Sequence, residues 1–178
     1  GPEMGVTTVS VAALAALGGF VLVLVFMYAV FNLSGLAADV SLLVHTVIFL
    51  AVLSALNVTL TVAGIVALAI VLLVALDAHV ILFRKIREER ASGKNVQAAV
   101  RSGFSKASTL IVEIHVVLLV VAMVLSQIGG MALENFSIIL AVGLVSSLFS
   151  VLFVTKLILD AAVADKKEAA LYIGWRNN

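Results

Sequence analysis

Five long apolar runs constrain the fold of this chain more than any other feature. About 20 apolar residues in a helix cross a hydrocarbon core of roughly 30 Å, and each run reaches that length. The runs cover residues 6–32, 36–56, 58–83, 107–128 and 135–158. They predict an all-α fold, a polytopic membrane helical bundle of about five transmembrane helices in one domain, residues 6–160.

The composition supports the lipid bilayer as the environment. The chain is 63% hydrophobic and only 12% charged, and its mean hydropathy is +1.27, whereas a soluble domain is about a quarter charged. A net charge of +1 gives no reason to expect a nucleic acid partner, and the absence of cysteine excludes disulfides and thiolate metal sites. Residues 1–5, which begin Gly1-Pro2-Glu3 ahead of Met4, are interpreted as a tag remnant and the N-terminus.

The charge distribution predicts the topology. Most of the basic residues lie between the third and fourth runs, in residues 84–106, where helical spacing on both sides of Ser92-Gly93 predicts a helical hairpin. The positive-inside rule places this hairpin in the cytoplasm. Counting spans then puts the N-terminus outside an inner (cytoplasmic) membrane and the tail, residues 161–178, in the cytoplasm.

Ionisable residues inside the apolar runs are the candidate functional residues, because such groups are costly in hydrocarbon and usually mark an ion path or a ligand site. They are His45, Asp77, His79, Glu113 and His115. At 1.5 Å per residue all five fall in one layer, roughly 6–14 Å from the cytoplasmic interface. Residues i and i+2 are about 200° apart on a helix, so each Asp-X-His or Glu-X-His pair must face two sides or present one member to a second subunit.

Several segments together resemble a known family. Residues 60–65 (LTVAGI), 75–83 (ALDAHVILF) and 86–89 (IREE) resemble the core of the SecD/SecF protein-export membrane proteins, which belong to the resistance-nodulation-division (RND) superfamily. Residues 35–40 (GLAADV) resemble the segment that opens the family's third helix, and the resemblance covers roughly residues 18–160. It implies a transmembrane module that lacks the first helix and the periplasmic domain preceding this region in SecD.

The resemblance also implies roles for single residues and shows departures. Asp77 occupies the position of the family's proton-carrying carboxylate. Family members carry Asn where this chain has His45, His79 and His115, and Asp where it has Glu113. Three amides have therefore become three imidazoles, whose ordinary pKa lies near physiological pH.

Three functions remain open at this stage. The first is proton- or cation-coupled transport of the protein-export type, with Asp77 as the protonated carrier, Glu113 as its neighbour and the histidines as relay groups, in a homodimer or with a SecF-like membrane partner. The second is a static intramembrane site in which the same five residues bind a divalent transition metal or, as a weaker variant, haem. The third is a structural or engineered scaffold in which the polar layer only specifies helix packing. No enzyme activity is expected, and no cofactor is certain.

Overall fold

The computed structural model describes residues 2–164, and within them the chain is helical apart from short turns. The helices are α1 (Pro2–Phe31), α2 (Leu33–Ala55), α3 (Val62–Ala91), α4 (Val96–Ile128), α5 (Gly130–Phe149) and α6 (Lys156–Ala162), and a π-helical segment, Ser150–Thr155, joins α5 to α6. α5, the π-helical segment and α6 form one continuous span. Five helices are long and apolar enough to cross a membrane, which confirms the predicted all-α bundle of five spans.

The hairpin between the third and fourth runs is helical, as predicted. α3 continues two turns beyond its apolar part to Ala91, and α4 begins at Val96, where the Asn95 side chain accepts a hydrogen bond from the Ala98 N–H at 2.8 Å. Gly93 has a φ of 98°, a left-handed value that favours glycine, and this turn reverses the chain. The charged hairpin is therefore a rigid extension of the bundle rather than a loose loop.

An ion cluster closes this hairpin. The buried carboxylate of Glu89 accepts hydrogen bonds from the ammonium groups of Lys106 and Lys94 and from the Ser102 hydroxyl. Hydrogen bonds from Lys106, Lys94 and Ser102 lower the pKa of Glu89 to about 2. Glu89 thus connects the end of α3 to the first turns of α4.

Two apolar clusters form the core, one toward the charged hairpin and one toward the opposite end. α5 and the π-helical segment lie against α2, α3 and α4, while α1 contacts the bundle through its C-terminal end, where Met27 and Phe31 are buried. The Arg87 guanidinium lies 4.7 Å from the centroid of the Phe31 ring and donates to the Val30 carbonyl at 3.0 Å. Most apolar side chains of α1 between residues 5 and 22 are exposed on this chain.

The predicted cytoplasmic tail, residues 161–178, falls almost wholly outside the described residues. α6 ends at Ala162. The interpretation of residues 1–5 as a tag remnant stays a prediction, as does the side of the membrane on which each end lies. α1 itself begins at Pro2.

Candidate functional site

Three buried histidines from three different helices point toward the span formed by α5 and the π-helical segment. His45 of α2, His79 of α3 and His115 of α4 are 2%, 1% and 1% exposed. Burying an imidazole costs free energy for each ring nitrogen that lacks a hydrogen-bond partner. Those partners therefore define the site.

His79 bonds at both ring nitrogens. Nδ1 lies 2.8 Å from the Ala75 carbonyl oxygen one turn earlier in α3, and Nε2 lies 2.9 Å from Oγ1 of Thr155. Because Nδ1 faces a carbonyl, it must carry a hydrogen and donate. In the neutral ring Nε2 then accepts the hydrogen bond of the Thr155 hydroxyl.

His115 repeats this arrangement one helix further along the chain. Its Nδ1–H donates to the Ile111 carbonyl at 2.8 Å, and its Nε2 lies 3.0 Å from the Ser147 hydroxyl. The same i−4 bond fixes both rings and turns both Nε2 atoms toward hydroxyls of one span. The same hydrogen bond to the carbonyl four residues earlier thus orients two histidines on different helices.

His45 differs from the other two. Its Nε2 lies 3.2 Å from the Gly143 carbonyl, and its ring stacks on Phe49 with 5.7 Å between centroids. Nδ1 is buried and has no hydrogen-bond partner among residues 2–164. A Cβ at position 143 would overlap the Val71 side chain and fall 2.8 Å from the Phe49 ring, so glycine there allows α5 to pack closely against α2 and α3.

The π-helical segment extends the His79 contact into a chain of hydroxyls. The Thr155 hydroxyl lies 2.7 Å from Oγ of Ser41, and the Ser41 hydroxyl donates to the Ser150 carbonyl at 3.0 Å. A π-helical turn widens the backbone spacing and releases carbonyls from the regular helical pattern. Ser150 and Thr155 are both buried. We call the buried set His45, His79, His115, Ser41, Ser147, Ser150 and Thr155 the polar seam.

The carboxylates lie elsewhere. The side chains of Asp77 and Glu113 are exposed on the surface of this chain, on the far sides of α3 and α4 from their histidine neighbours. The layer of five residues predicted from depth is therefore not one shared site. Asp77 and His115 nevertheless line one narrow crevice between α3 and α4.

The metal hypothesis receives no support from this geometry. Within residues 2–164 no group of three or more His, Asp or Glu side chains is arranged to hold a metal ion. The Nε2 atoms of all three histidines face hydroxyls or a carbonyl of the α5 span, so a haem iron would have to displace those bonds as well. The physical reason is the i,i+2 spacing, which turns each carboxylate away from its histidine.

Sequence reasoning missed the hydroxyl half of the seam. Ser41 had no distinguishing pattern within α2. Ser147, Ser150 and Thr155 recur at spacings of three and five in a largely apolar span that also contains Ser137 and Ser146, and this recurrence was the available signal. Polar side chains commonly hydrogen-bond across helices in membranes, so the recurrence indicates which side of α5 faces the bundle.

These features define a class, the polytopic helical membrane proteins with ionisable residues inside the bundle. Comparison with known proteins then gives the family. The family described as protein export membrane protein SecD/SecF, C-terminal, matches residues 1–165. The chain belongs to the SecD/SecF family, which confirms the resemblance noted in the sequence.

Relatives and solved structures agree with this assignment. Protein translocase subunit SecD of Acidaminococcus fermentans is 39% identical over 92% of this chain and 39% of that protein. The corresponding subunit of Treponema pallidum is 37% identical over 99% of this chain and 30% of that protein. A crystal structure of SecDF from Thermus thermophilus, described as a translocon-associated membrane protein, superposes with a TM-score of 0.82 at 31% identity, covering 89% of this chain and 22% of that one. The chain thus spans well under half the length of these proteins.

Proposed function

We propose that this chain is a membrane module of protein export and that it couples transport to proton or cation movement through Asp77 and Glu113. The relatives named as translocase subunits support the export role, and the surface position of the two carboxylates supports the coupling role. Such a module moves ions and changes shape without covalent chemistry, so we propose no enzymatic activity.

The single observation that carries the proposal is the exposure of Asp77 and Glu113 on apolar helices. A carboxylate that faces lipid near the middle of a membrane is costly, and intramembrane carboxylates almost always face protein or a water-filled cavity. Their surroundings on this chain include exposed apolar side chains of α3 and α4 such as Leu73, Val112 and Val116. We therefore place a second helical unit over this face, either a second copy or a SecF-like partner.

The polar seam suits a relay because His79 keeps its hydrogen bond to Thr155 in both protonation states. In the neutral state Nε2 accepts the single hydroxyl proton of Thr155, which then cannot donate to Ser41. In the protonated state Nε2 donates to Thr155, which donates to Ser41, which donates to the Ser150 carbonyl. A hydroxyl serves both states since it donates and accepts, and an amide in place of the imidazole would not titrate.

The narrow crevice brings one carboxylate and one seam histidine to the same place. Asp77 and His79 lie on opposite sides of α3, so a proton cannot pass directly between them. Asp77 and His115 both line the crevice, which has no room for a water molecule, and His115 contacts Ser147 on α5. We propose that protons enter at Asp77 and reach His115 when α3 and α4 separate enough to admit water.

The orientation completes the proposal. The basic hairpin is cytoplasmic by the positive-inside rule, in an inner membrane, with the N-terminus outside. The carboxylates then lie nearer the cytoplasmic side. A proton entering from outside would have to cross the half of the bundle formed by the apolar cluster around Phe49 and Leu144.

Proton flux tests this function directly. Proteoliposomes that contain the chain, alone and with a SecF-family partner, are loaded with a pH-sensitive dye and exposed to a pH step. We expect flux only with the partner present and a loss of at least about tenfold for Asp77→Asn, because an amide carries no titratable proton. Glu134→Gln is the matched control, since it makes the same chemical change at an exposed residue near the start of α5 and should leave flux unchanged.

Two results would contradict the proposed function. Wild-type flux in Asp77→Asn would remove the carrier role. Equal losses in Asp77→Asn and Glu134→Gln would show that the assay reports charge on the protein rather than a path through it.

A further inference from the structure

A groove of about 710 Å³ opens between the start of α4 and the α6 end of the last span. Its polar lining includes Arg101, Ser105 and Lys156, and its apolar wall includes Phe104 and Leu152. None of the polar seam residues and neither of the carboxylates Asp77 and Glu113 line it. The volume falls within the range of about 300–1,000 Å³ that is typical of ligand pockets.

The charge of the groove favours an anion. Two cationic groups, Arg101 and Lys156, share it with one carboxylate, Asp160. Among residues 2–164, no carboxylate lies within ion-pair distance of either cation, and the ammonium of Lys156 instead lies 5.8 Å from the centroid of the Phe104 ring. Both cations are exposed and available to a ligand.

The depth of the groove identifies the kind of anion. Arg101 and Ser105 precede the apolar run of α4, and Lys156 lies at the end of the last apolar run, so the polar half lies at the level of the lipid headgroups. Leu152 lies one turn deeper than Lys156, inside the apolar region. A ligand that fits both halves has an anionic head and an apolar body.

We propose that this groove binds an anionic phospholipid, with Arg101 and Lys156 on the headgroup phosphate, the Phe104 ring beside the Lys156 ammonium, and Leu152 along the first acyl carbons. Basic pockets between helices near the cytoplasmic face commonly bind such headgroups. The guanidinium can donate two parallel hydrogen bonds to phosphate oxygens, and the Ser105 hydroxyl can donate a third. The site is separate from the proposed proton path, since it uses none of its residues.

Native mass spectrometry of the detergent-purified chain tests the site. Phosphatidylglycerol and phosphatidylcholine are added separately at equal concentration, and glycerol 1-phosphate serves as the soluble source of the same phosphate chemistry. We expect one phosphatidylglycerol bound at least about tenfold more tightly than phosphatidylcholine, which carries the same phosphate but adds a quaternary ammonium that Arg101 and Lys156 repel. A tenfold ratio corresponds to only about 1.4 kcal/mol. Glycerol 1-phosphate should not displace it.

Two double variants distinguish binding in the groove from a general effect of positive charge on the protein. Arg101→Gln/Lys156→Gln should abolish the preference for phosphatidylglycerol, whereas Arg84→Gln/Lys85→Gln removes the same charge at the same end of the bundle but outside the groove and should retain it. Asp160→Asn removes the one carboxylate that lines the groove among residues 2–164 and should increase the affinity severalfold. This variant keeps the proposal testable if the double variant does not fold.

Three outcomes would overturn the proposal. They are equal binding of the two lipids, an equal effect of the two double variants, and displacement by glycerol 1-phosphate, which would assign the groove to a soluble anion. Unchanged affinity in Asp160→Asn would also count against it.

Discussion

Replacing Thr155 by valine tests whether the polar seam contributes to the fold as its contacts indicate. The substitution keeps the branched shape and removes the hydroxyl that bonds to Nε2 of His79 and Oγ of Ser41. Hydrogen bonds between membrane helices contribute about 0.6 kcal/mol on average and up to about 1.7 kcal/mol each. Loss of two such bonds should lower the free energy of unfolding by about 1–3 kcal/mol, because Nε2 is left buried without a partner.

Reversible unfolding in mixed micelles with increasing dodecyl sulfate measures this free energy. Thr46→Val is the matched control, since the Thr46 hydroxyl donates only to the Leu42 carbonyl one turn earlier in its own helix, at 2.8 Å. Such local bonds contribute little to a helix, so the control should cost less than about 0.5 kcal/mol. Equal costs for Thr155→Val and Thr46→Val would refute the reasoning that the seam couples α2, α3 and the α5 span.

The remaining predictions concern the charged hairpin, the helix packing and the topology. Glu89→Gln should increase hydrogen exchange in the hairpin because it removes both lysine ion pairs. In the unchanged protein the pKa of Glu89 is lowered to about 2, so the stabilisation from these ion pairs is complete above about pH 4.5 and is lost only as pH falls through about 2. Hydrogen exchange measured against pH tests this dependence. Gly103→Ala should lower the unfolding free energy by about 1–3 kcal/mol, since its Cβ would lie 2.7 Å from the α3 backbone, whereas Gly18→Ala, with open space around it, should not. Cysteines at Ser92 and Gln127 should be labelled from opposite sides of the membrane, the first from the cytoplasm, and labelling of both from one side would contradict the span count.

The spans could be predicted from the sequence because membrane thickness sets the length of an apolar run. The five predicted runs correspond to five helices. The largest differences are at the third, predicted over 58–83 and observed as Val62–Ala91, and at the fourth, predicted over 107–128 and observed as Val96–Ile128. A helix can extend beyond its apolar run, because backbone hydrogen bonds do not depend on the hydrophobicity of the side chains. The Thr61 side chain accepts from the Gly64 N–H at 3.0 Å and fixes the start, and the breaker Ser92-Gly93 fixes the end.

The site could be predicted only in part. Depth follows from counting residues, so the five ionisable residues were placed in one layer. Rotation about each helix axis depends on neighbouring helices, and the sequence left open which member of each pair faces inward. His79 and His115 turn to α5, and Asp77 and Glu113 turn outward.

The hydroxyl partners of the histidines and the π-helical segment could not be predicted from the sequence, for a different reason. A π-helical turn has no strong residue signature, and its stability here rests on tertiary bonds such as that from Ser41 to the Ser150 carbonyl. The substitution of three amides by imidazoles was visible in the resemblance. That each ring would bond back to its own helix or across to α5 required the packed structure.

Carbodiimide labelling tests the central claim, that Asp77 and Glu113 face a second helical unit. Carbodiimides that dissolve in lipid modify protonated carboxyl groups at membrane depth, and mass spectrometry of peptides locates the product. The account predicts that both residues are modified in the isolated chain and at least about tenfold less in the complex with a SecF-family partner or in a homodimer, because that unit covers them. Glu134, at the far end of the bundle, should react equally in both samples. Equal modification of Asp77 and Glu113 with and without the second unit would contradict the account.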